Sequence, residues 1–458
     1  MAKMGSVVTV VVAALVALVL CAKSGAGQVY HDYAALNTLF EDLVTNQCPL
    51  IARRFTVGSS ESGRMIYGIR LTHQVALSEN DSPKPAVRLT ANIHGDETVG
   101  REMLIAFAER LCRDYGTPNA DDVTWLLDNT VIYIIPSLNP DGFALGMREN
   151  SRGVDLNRDY PTRFEANQDD TAGRQAETAA MMDWTRARSF ALSGTMHGGA
   201  LVASYPWDSS VTGDDSYAAT EDDAMYRRLA RIYADANPSM AASPIFPNGI
   251  TNGADWYSIV GTLQDYMVLR GTPSITFELS DNKSPPESAL AGFWNDNRLA
   301  LMQYAYQVHV SASGRVVDSS GQPIPGAACG IDSIEYGYKA PTNPHSGRFW
   351  RLVPEPGTYS VTCAAEGYTA VTKTVIVHEA TIADPPTPTE QAHAFAQFVL
   401  PTAADAPAET TAGKIATDST AGINIWMTLF LFVQISLIIC AVVIYLNYRH
   451  KARHAGRF

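Results

Sequence analysis

Residues Thr130-Val131-Ile132-Tyr133-Ile134-Ile135-Pro136 form an unbroken β-branched and aromatic run. Such a run marks a strand buried on both faces, and strands of that kind belong to parallel or mixed sheets covered by helices. The flanking pattern agrees. Val87 to Ile93 alternates in polarity and is followed by Val99, Met103, Phe107 and Leu111 at helical spacing. Phe190 to Thr195 and Ser274 to Leu279 read as further strands, and residues 59–64 as a hairpin turn. Helices are expected over residues 31–44, 174–188, 221–236 and 287–307. Up to about Val308 the chain predicts one α/β domain, a mixed central β-sheet flanked by helices, spanning residues 27–308.

From His309 the texture changes to short strands and turns, at residues 314–321, 349–352, 358–362 and 396–400, which predicts a small all-β sandwich over residues 309–400. Residues 401–422, rich in Ala, Thr, Pro and Asp, carry no apolar period and read as a stalk. Ile423 to Leu446 is long and apolar enough to cross a bilayer. Arg449, Lys451, Arg453 and Arg457 follow it and predict a cytoplasmic tail over residues 447–458. At the other end, Val7 to Leu20 and the small residues Ser24-Gly25-Ala26 read as a secretory signal over residues 1–26. The expected layout is a single-pass membrane protein of the secretory pathway or cell surface, with the bulk of the chain outside or luminal.

In that compartment cysteines pair. Of six cysteines, Cys21 falls in the signal and Cys440 in the span, so two disulfides are expected among Cys48, Cys112, Cys329 and Cys363. Three pairings are possible, and joining Cys48 to Cys112 and Cys329 to Cys363 keeps each within one domain. Asn80 and Asn282 each open an Asn-x-Ser glycosylation pattern. The formal charge of −13, without a basic patch, excludes nucleic acid as a partner. Acidity on this scale suits a basic substrate, and equally suits plain solubility.

The chemistry concentrates at His94-Gly95-Asp96-Glu97, which puts an imidazole and a carboxylate three residues apart where a strand ends and a helix begins. That is metal-ligand spacing, and a catalytic zinc takes three protein groups of this kind. His197, at the end of another strand, is the best third candidate. His-x-x-Glu alone is a weak signal. Its place at the carboxyl ends of strands, where open α/β sheets hold their ligands, strengthens it.

Taken in order, His94-Gly95-Asp96-Glu97, Asn139-Pro140-Asp141-Gly142, Asp155-Leu156-Asn157-Arg158, His197-Gly198-Gly199 and Thr276-Phe277-Glu278-Leu279 resemble the zinc metallocarboxypeptidases. Ile250-Thr251-Asn252-Gly253-Ala254, Leu263-Gln264-Asp265 and a second domain opening Gly314-Arg315-Val316 resemble the regulatory N/E subfamily, whose appended domain is transthyretin-like. The likeness covers nearly all of residues 30–400. It implies one Zn²⁺ ion held by His94, Glu97 and His197, with Glu278 as general base and Arg148, nine residues before Asn157, stabilising the oxyanion. It further implies that Asn157 and Arg158 grip the substrate's terminal carboxylate while Tyr257 closes over the peptide. Asp208 and Gln264 would line the pocket for the last side chain, so the expected substrates are peptides or proteins ending in Lys or Arg.

Two departures stand out. Asp96 replaces the asparagine more usual in the subfamily, and the segment from Tyr257 to Glu278 is one residue short and lacks a cysteine. A catalytically silent binding protein on the same scaffold is the rival reading, but the three ligand candidates and Glu278 are all present. A related metallo-amidohydrolase is another, and it would need neither Asp208 nor the second domain.

Overall fold

The computed structural model describes residues 29–76 and 82–402. The expected signal, stalk beyond Thr402, span, tail and the Asn80 pattern lie outside the described residues. Among the described residues no helix is long and apolar enough to cross a membrane.

Among the described residues the first helix, α1 (Tyr33–Asp42), starts where the Asp32 carboxylate accepts from the Ala35 N–H, a side-chain cap. A hairpin of β1 (Ala52–Ser59) and β2 (Met65–Leu71) follows, then β3 (Ala86–Ala91), α2 (Val99–Asp114), α3 (Asp121–Asn129), β4 (Val131–Ile135) and α4 (Pro140–Leu145). The domain is completed by α5 (Ala176–Arg186), β5 (Leu192–His197), β6 (Ala200–Tyr205), α6 (Asp223–Ala236), β7 (Ile250–Asn252), α7 (Leu263–Leu269), β8 (Ser274–Ser280) and α8 (Leu290–Tyr306). The eight strands pair in the order β1-β2-β4-β3-β5-β8-β6-β7. Strands β4, β3, β5 and β8 run parallel, and β2 and β6 meet this block antiparallel, so the sheet is mixed.

Strand β4 behaves as its composition demands. Ile132 and Ile134 join the core beneath α2, α6 and α8, while Val131, Tyr133 and Ile135 join a second core with Trp184, Phe190 and Tyr266. Each such side chain contributes about 1.5–3 kcal/mol by leaving water. In the adjacent strands the two faces differ. Val87 and Leu89, Leu192 and Met196, and Ile275 and Phe277 lie in the larger core. The alternate positions are polar, Arg88 and Thr90 on β3, Ser193, Thr195 and His197 on β5, and Ser274, Thr276 and Glu278 on β8. Because side chains alternate along a strand, these rows share one face, and they lead toward the strand ends where His197 and Glu278 sit as register partners.

The second domain is a sandwich of two sheets. One has the order β11-β10-β13-β14, from Ala340–Pro341, Ala328–Ile331, Gly357–Ala364 and Val371–Val377; the other has the order β12-β9-β15, from Arg348–Leu352, Ser311–Val317 and Phe395–Val399. It has its own core around Phe349, Val361, Val375 and Phe398. The disulfides are Cys48–Cys112 and Cys329–Cys363, the within-domain pairing. A buried ion pair joins the two domains, Arg351 Nη2 lying 2.6 Å from Asp222 Oδ1, and the Tyr338 N–H donates to Asp222 Oδ2 at 2.8 Å.

Candidate active site

The turn after β3 carries the first two groups. Asn92 adopts φ +56°, a left-handed conformation that asparagine tolerates better than most residues, and its amide Nδ2 donates to the carbonyls of His94, Gly95 and Glu97. Gly95 crosses the backbone of Gly142 so closely that a Cβ would stand 2.0 Å from the Gly142 carbonyl carbon, which is why the motif needs glycine there. The turn so fixed brings His94 Nδ1 to 2.9 Å from Glu97 Oε1, and the end of β5 brings His197 Nδ1 to 2.9 Å from Glu97 Oε2. Ligand-type atoms of the three residues lie within 4.8 Å of one another, and all three are buried. The Gly198 N–H also donates to Glu97 Oε2 at 3.1 Å. Burial disfavours the Glu97 charge, but His94 and His197 hold its carboxyl well below the usual range.

The set fits a zinc ion on its own chemistry. His94 Nε2 lies 3.1 Å from Asp155 Oδ1, so the ring proton belongs on that side and Nδ1 keeps its lone pair for a cation. Two imidazoles and one carboxylate, with room for a fourth group, make the donor set of a catalytic rather than a structural zinc site.

A cavity of about 200 Å³ opens beside these groups, lined also by Arg148, Asn157, Asp208, Trp256, Tyr257, Thr276, Glu278 and Lys283. Glu278 is 7% exposed, and its Oε2 has no partner among the described residues. Burial, then the nearby Glu97, pushes its carboxyl well above the ordinary range, against the pull of Lys283 and Arg148. Arg148 donates from Nε to Asp155 Oδ2 at 3.0 Å and reaches His94 Nδ1 at 3.1 Å. Asn157 accepts the Leu263 N–H on Oδ1 at 3.0 Å. Asp208 accepts from Thr262 Oγ1 at 2.7 Å and from Gln264 Nε2 at 2.8 Å.

Residues 38–300 match the zinc carboxypeptidase family profile and residues 311–384 that of the carboxypeptidase regulatory-like domain. The chain belongs to the zinc carboxypeptidase family. Among similar proteins, carboxypeptidase E of Caenorhabditis elegans is 34% identical over 84% of this chain and 90% of its own. Carboxypeptidase SOL1 of Arabidopsis thaliana is 38% identical over 73% of this chain and 67% of its own. Human carboxypeptidase D is 35% identical over 76% of this chain, which spans only 26% of that longer protein. The crystal structure of thrombin activatable fibrinolysis inhibitor superposes with a TM-score of 0.50 at 19% identity, over 61% of this chain and 74% of its own, which is a likeness of fold.

Within this metallocarboxypeptidase most of the expected site residues share one cavity, but two do not reach its wall. Arg158 donates to its neighbour's carbonyl, Asn157 O, at 2.8 Å, and acts at a distance through its charge on Asp155, Asp208 and Tyr257. Gln264 stands behind Asp208 as its donor rather than lining the pocket. Tyr257 is 39% exposed at the rim, with its hydroxyl pushed up to about 12 by burial and Glu278.

Three contributors to the carboxypeptidase site escaped the sequence reading. Asp155 is one, although a histidine that ligates metal calls for an acceptor on its other nitrogen, so an acid near the Asn157-Arg158 motif was there to be sought. Thr262 is another, and it caps α7 while donating to Asp208. Lys283 is the third, with Nζ 3.0 Å from Glu97 Oε1 and 3.4 Å from Asp96 Oδ2, which answers the extra charge of Asp96; nothing in its sequence context signals the role. The adjacent Asn282 is exposed and accepts the Ser284 N–H through Oδ1 at 3.1 Å.

Proposed function

We propose that this carboxypeptidase holds one zinc ion through His94, Glu97 and His197 and removes C-terminal Lys or Arg from peptides and proteins. The observation that carries the reading is the buried Asp208 carboxylate, which lines the same cavity as the three ligand-type groups and Glu278. When bound there, zinc supplies Lewis acidity that activates water and polarises a carbonyl.

The chain's own residues supply the rest. Glu278 faces the cavity with an unengaged oxygen and acts as the base for the attacking water, then passes the proton to the leaving amine. Arg148, whose Nη1 lies 3.1 Å from His94 Nδ1 at the cavity wall, offers its guanidinium to the developing oxyanion. Asn157, with Arg158 behind it, receives the terminal carboxylate, a charge that internal peptide bonds lack, so the site acts at chain ends. Tyr257 covers the peptide from the rim. Asp208 meets a cationic side chain.

The apolar residues 423–446 support tethering of this activity to a membrane, with the catalytic domain outside or luminal after loss of residues 1–26. The two disulfides support an oxidising compartment. The test is a panel of blocked peptides ending in Arg, Lys, Phe or Glu, assayed with and without a chelator. Hydrolysis of Arg and Lys peptides, abolished by chelator and restored by zinc, is expected. Indifference to chelator refutes the metal assignment, and a preference for Phe refutes the role of Asp208.

A further inference from the structure

Strand β12 points Phe349 into the core of the second domain, so Arg348 and Trp350 turn outward. The same alternation turns Ser313 and Arg315 outward from β9, whose Ala312 and Val316 are buried, and Phe395 outward from β15, whose Phe398 is buried. Pairing register sets these side chains in rows across the sheet. Trp350, Ser313 and Phe395 form one row, and in the next Arg348 stands beside Arg315. With strands about 4.8 Å apart, two aromatic walls face each other across a serine floor about 10 Å wide. The trough opens into a cavity of about 520 Å³ at the seam with the catalytic domain, which contributes Lys84, Asp128 and Asn129 to the lining. That volume falls within the range of about 300–1,000 Å³ typical of small-ligand sites.

The guanidinium of Arg348 makes no hydrogen bond or ion pair among the described residues and lies over the Phe395 ring, 5.3 Å from its centre. Its N–H donors are unengaged, and the aromatic stack orients them. Arg315 donates to the carbonyls of Ser346 and Gly321, and Lys84 to those of His73 and Leu127, so among the described residues neither cation is paired with an acid. Asp128 is already engaged, 3.0 Å from His73 Nδ1 and 2.9 Å from the Tyr115 hydroxyl. The cleft thus holds an excess of positive charge on a chain whose formal charge is −13. At its rim, Gln391 of α9 (Pro388–His393) donates from Nε2 to Asn129 Oδ1 at 3.2 Å, which leaves its own amide oxygen as an acceptor.

Each part calls for a matching group. An unengaged guanidinium fork suits a carboxylate, and an aromatic wall suits the apolar face of a ring. Hydroxyl and amide oxygens suit a ligand rich in O–H donors, which a sugar has and an aromatic acid lacks. The overall negative charge disfavours a polyanion but not a single carboxylate. We propose that this trough binds a short saccharide carrying one carboxylate, such as a terminal acidic sugar, with its ring against Trp350, its carboxylate on Arg348 and its hydroxyls on Ser313 and Gln391. None of these residues lines the catalytic cavity, so a glycan held here leaves the peptidase site open.

The test is saturation-transfer NMR on the zinc-loaded full chain, titrated with sialyllactose, lactose, acetate and a Glu-Trp dipeptide capped at both ends. Sialyllactose is expected to bind with a Kd of about 1 mM or tighter, and the other three at least tenfold more weakly. Arg348→Gln weakens sialyllactose binding at least tenfold, and Ser313→Leu, which fills the floor, abolishes it. In both variants kcat/KM for an Arg-terminated peptide is unchanged, which separates loss of the site from damage to the fold. Should the glutamine variant fail to fold, the leucine variant decides. No binding of sialyllactose up to about 10 mM, or binding that survives in either folded variant, overturns the site. Lactose binding as tightly overturns the part given to the carboxylate, acetate binding as tightly reduces the cleft to an ion site, and tighter binding of the dipeptide makes its ligand an acidic peptide instead.

Discussion

Gly253→Ala alters the cavity wall behind Asp208, and the structure assigns it a large effect on selectivity. A Cβ at this position would stand 2.1 Å from Asp208 Oδ1, 2.9 Å from Asp208 Cα and 3.1 Å from its Cγ. Carbon atoms in contact settle at about 3.5–4.0 Å, so the Asp208 side chain must give way by roughly 1 Å or more, and the clash with its Cα is not relieved by rotation. Overpacking of this kind costs about 1–3 kcal/mol in stability. The displaced carboxylate also loses at least one of its bonds to Thr262 and Gln264, at 2.7 and 2.8 Å. A hydrogen bond to a charged group is worth about 1.5–3 kcal/mol. Carried into the transition state, that is a fall of about 10- to 150-fold in kcat/KM for an Arg-terminated peptide. A Phe-terminated peptide, which asks nothing of the carboxylate, should lose no more than about threefold. The assay is kcat/KM on the paired peptides, with zinc content and urea unfolding measured alongside. If the Arg-over-Phe ratio survives within twofold, Asp208 is not held in place by the close approach of Gly253.

Two further substitutions probe the metal cluster and the scaffold. Asp155→Ala removes the acceptor from His94 Nε2, 3.1 Å away, and is expected to weaken zinc binding about 10- to 100-fold in competition with a chromophoric chelator; unchanged affinity would show that the ring needs no such partner. Replacing Cys48 and Cys112 by alanine opens a loop of 64 residues and should lower stability by about 4 kcal/mol in urea unfolding, whereas a loss under about 1 kcal/mol would refute the chain-entropy estimate.

The sheet was legible where burial and chemistry both marked the chain. The Val131–Ile135 run reads as doubly buried because no solvated strand carries five such residues, and it is so placed. Edge elements were harder. β14 (Val371–Val377) is the edge of the four-stranded sheet: Thr372, Lys373 and Thr374 are all exposed, and only Val375 and Val377 are buried, on either side of an exposed Ile376, a pattern that its neighbour β13 makes meaningful. Helix α3 is short, and its Asp121 and Asp122 start resembles a polar loop until Val123, Leu126 and Leu127 find the core.

In the site, the pairing of His94 with Glu97 and the candidacy of His197 follow from spacing and strand-end positions, whereas Glu278 was marked only by the family resemblance, its type and position alone reading as an ordinary strand-end carboxylate. The roles of Asp155, Thr262 and Lys283 depend on contacts spanning 61, 54 and about 190 residues, and no local pattern encodes those. Gln264 shows the same limit from the other side. Its position in sequence points to the pocket, but a side chain one layer back can serve the wall without being part of it.

The Arg351–Asp222 pair turns the boundary at residue 308 into something other than a convenient place to cut. Both side chains are almost wholly shielded from solvent, 0% and 2% exposed, and each comes from a different half of the junction. A truncated catalytic fragment would keep a carboxylate shaped for a guanidinium that is no longer supplied, next to freshly uncovered aromatic surface from Tyr226 and Trp207. Anyone seeking a minimal soluble version should therefore replace Asp222 with a neutral residue in the same step. Grafting a foreign β-sandwich onto this enzyme calls for an arginine at the position of Arg351, whatever else is exchanged.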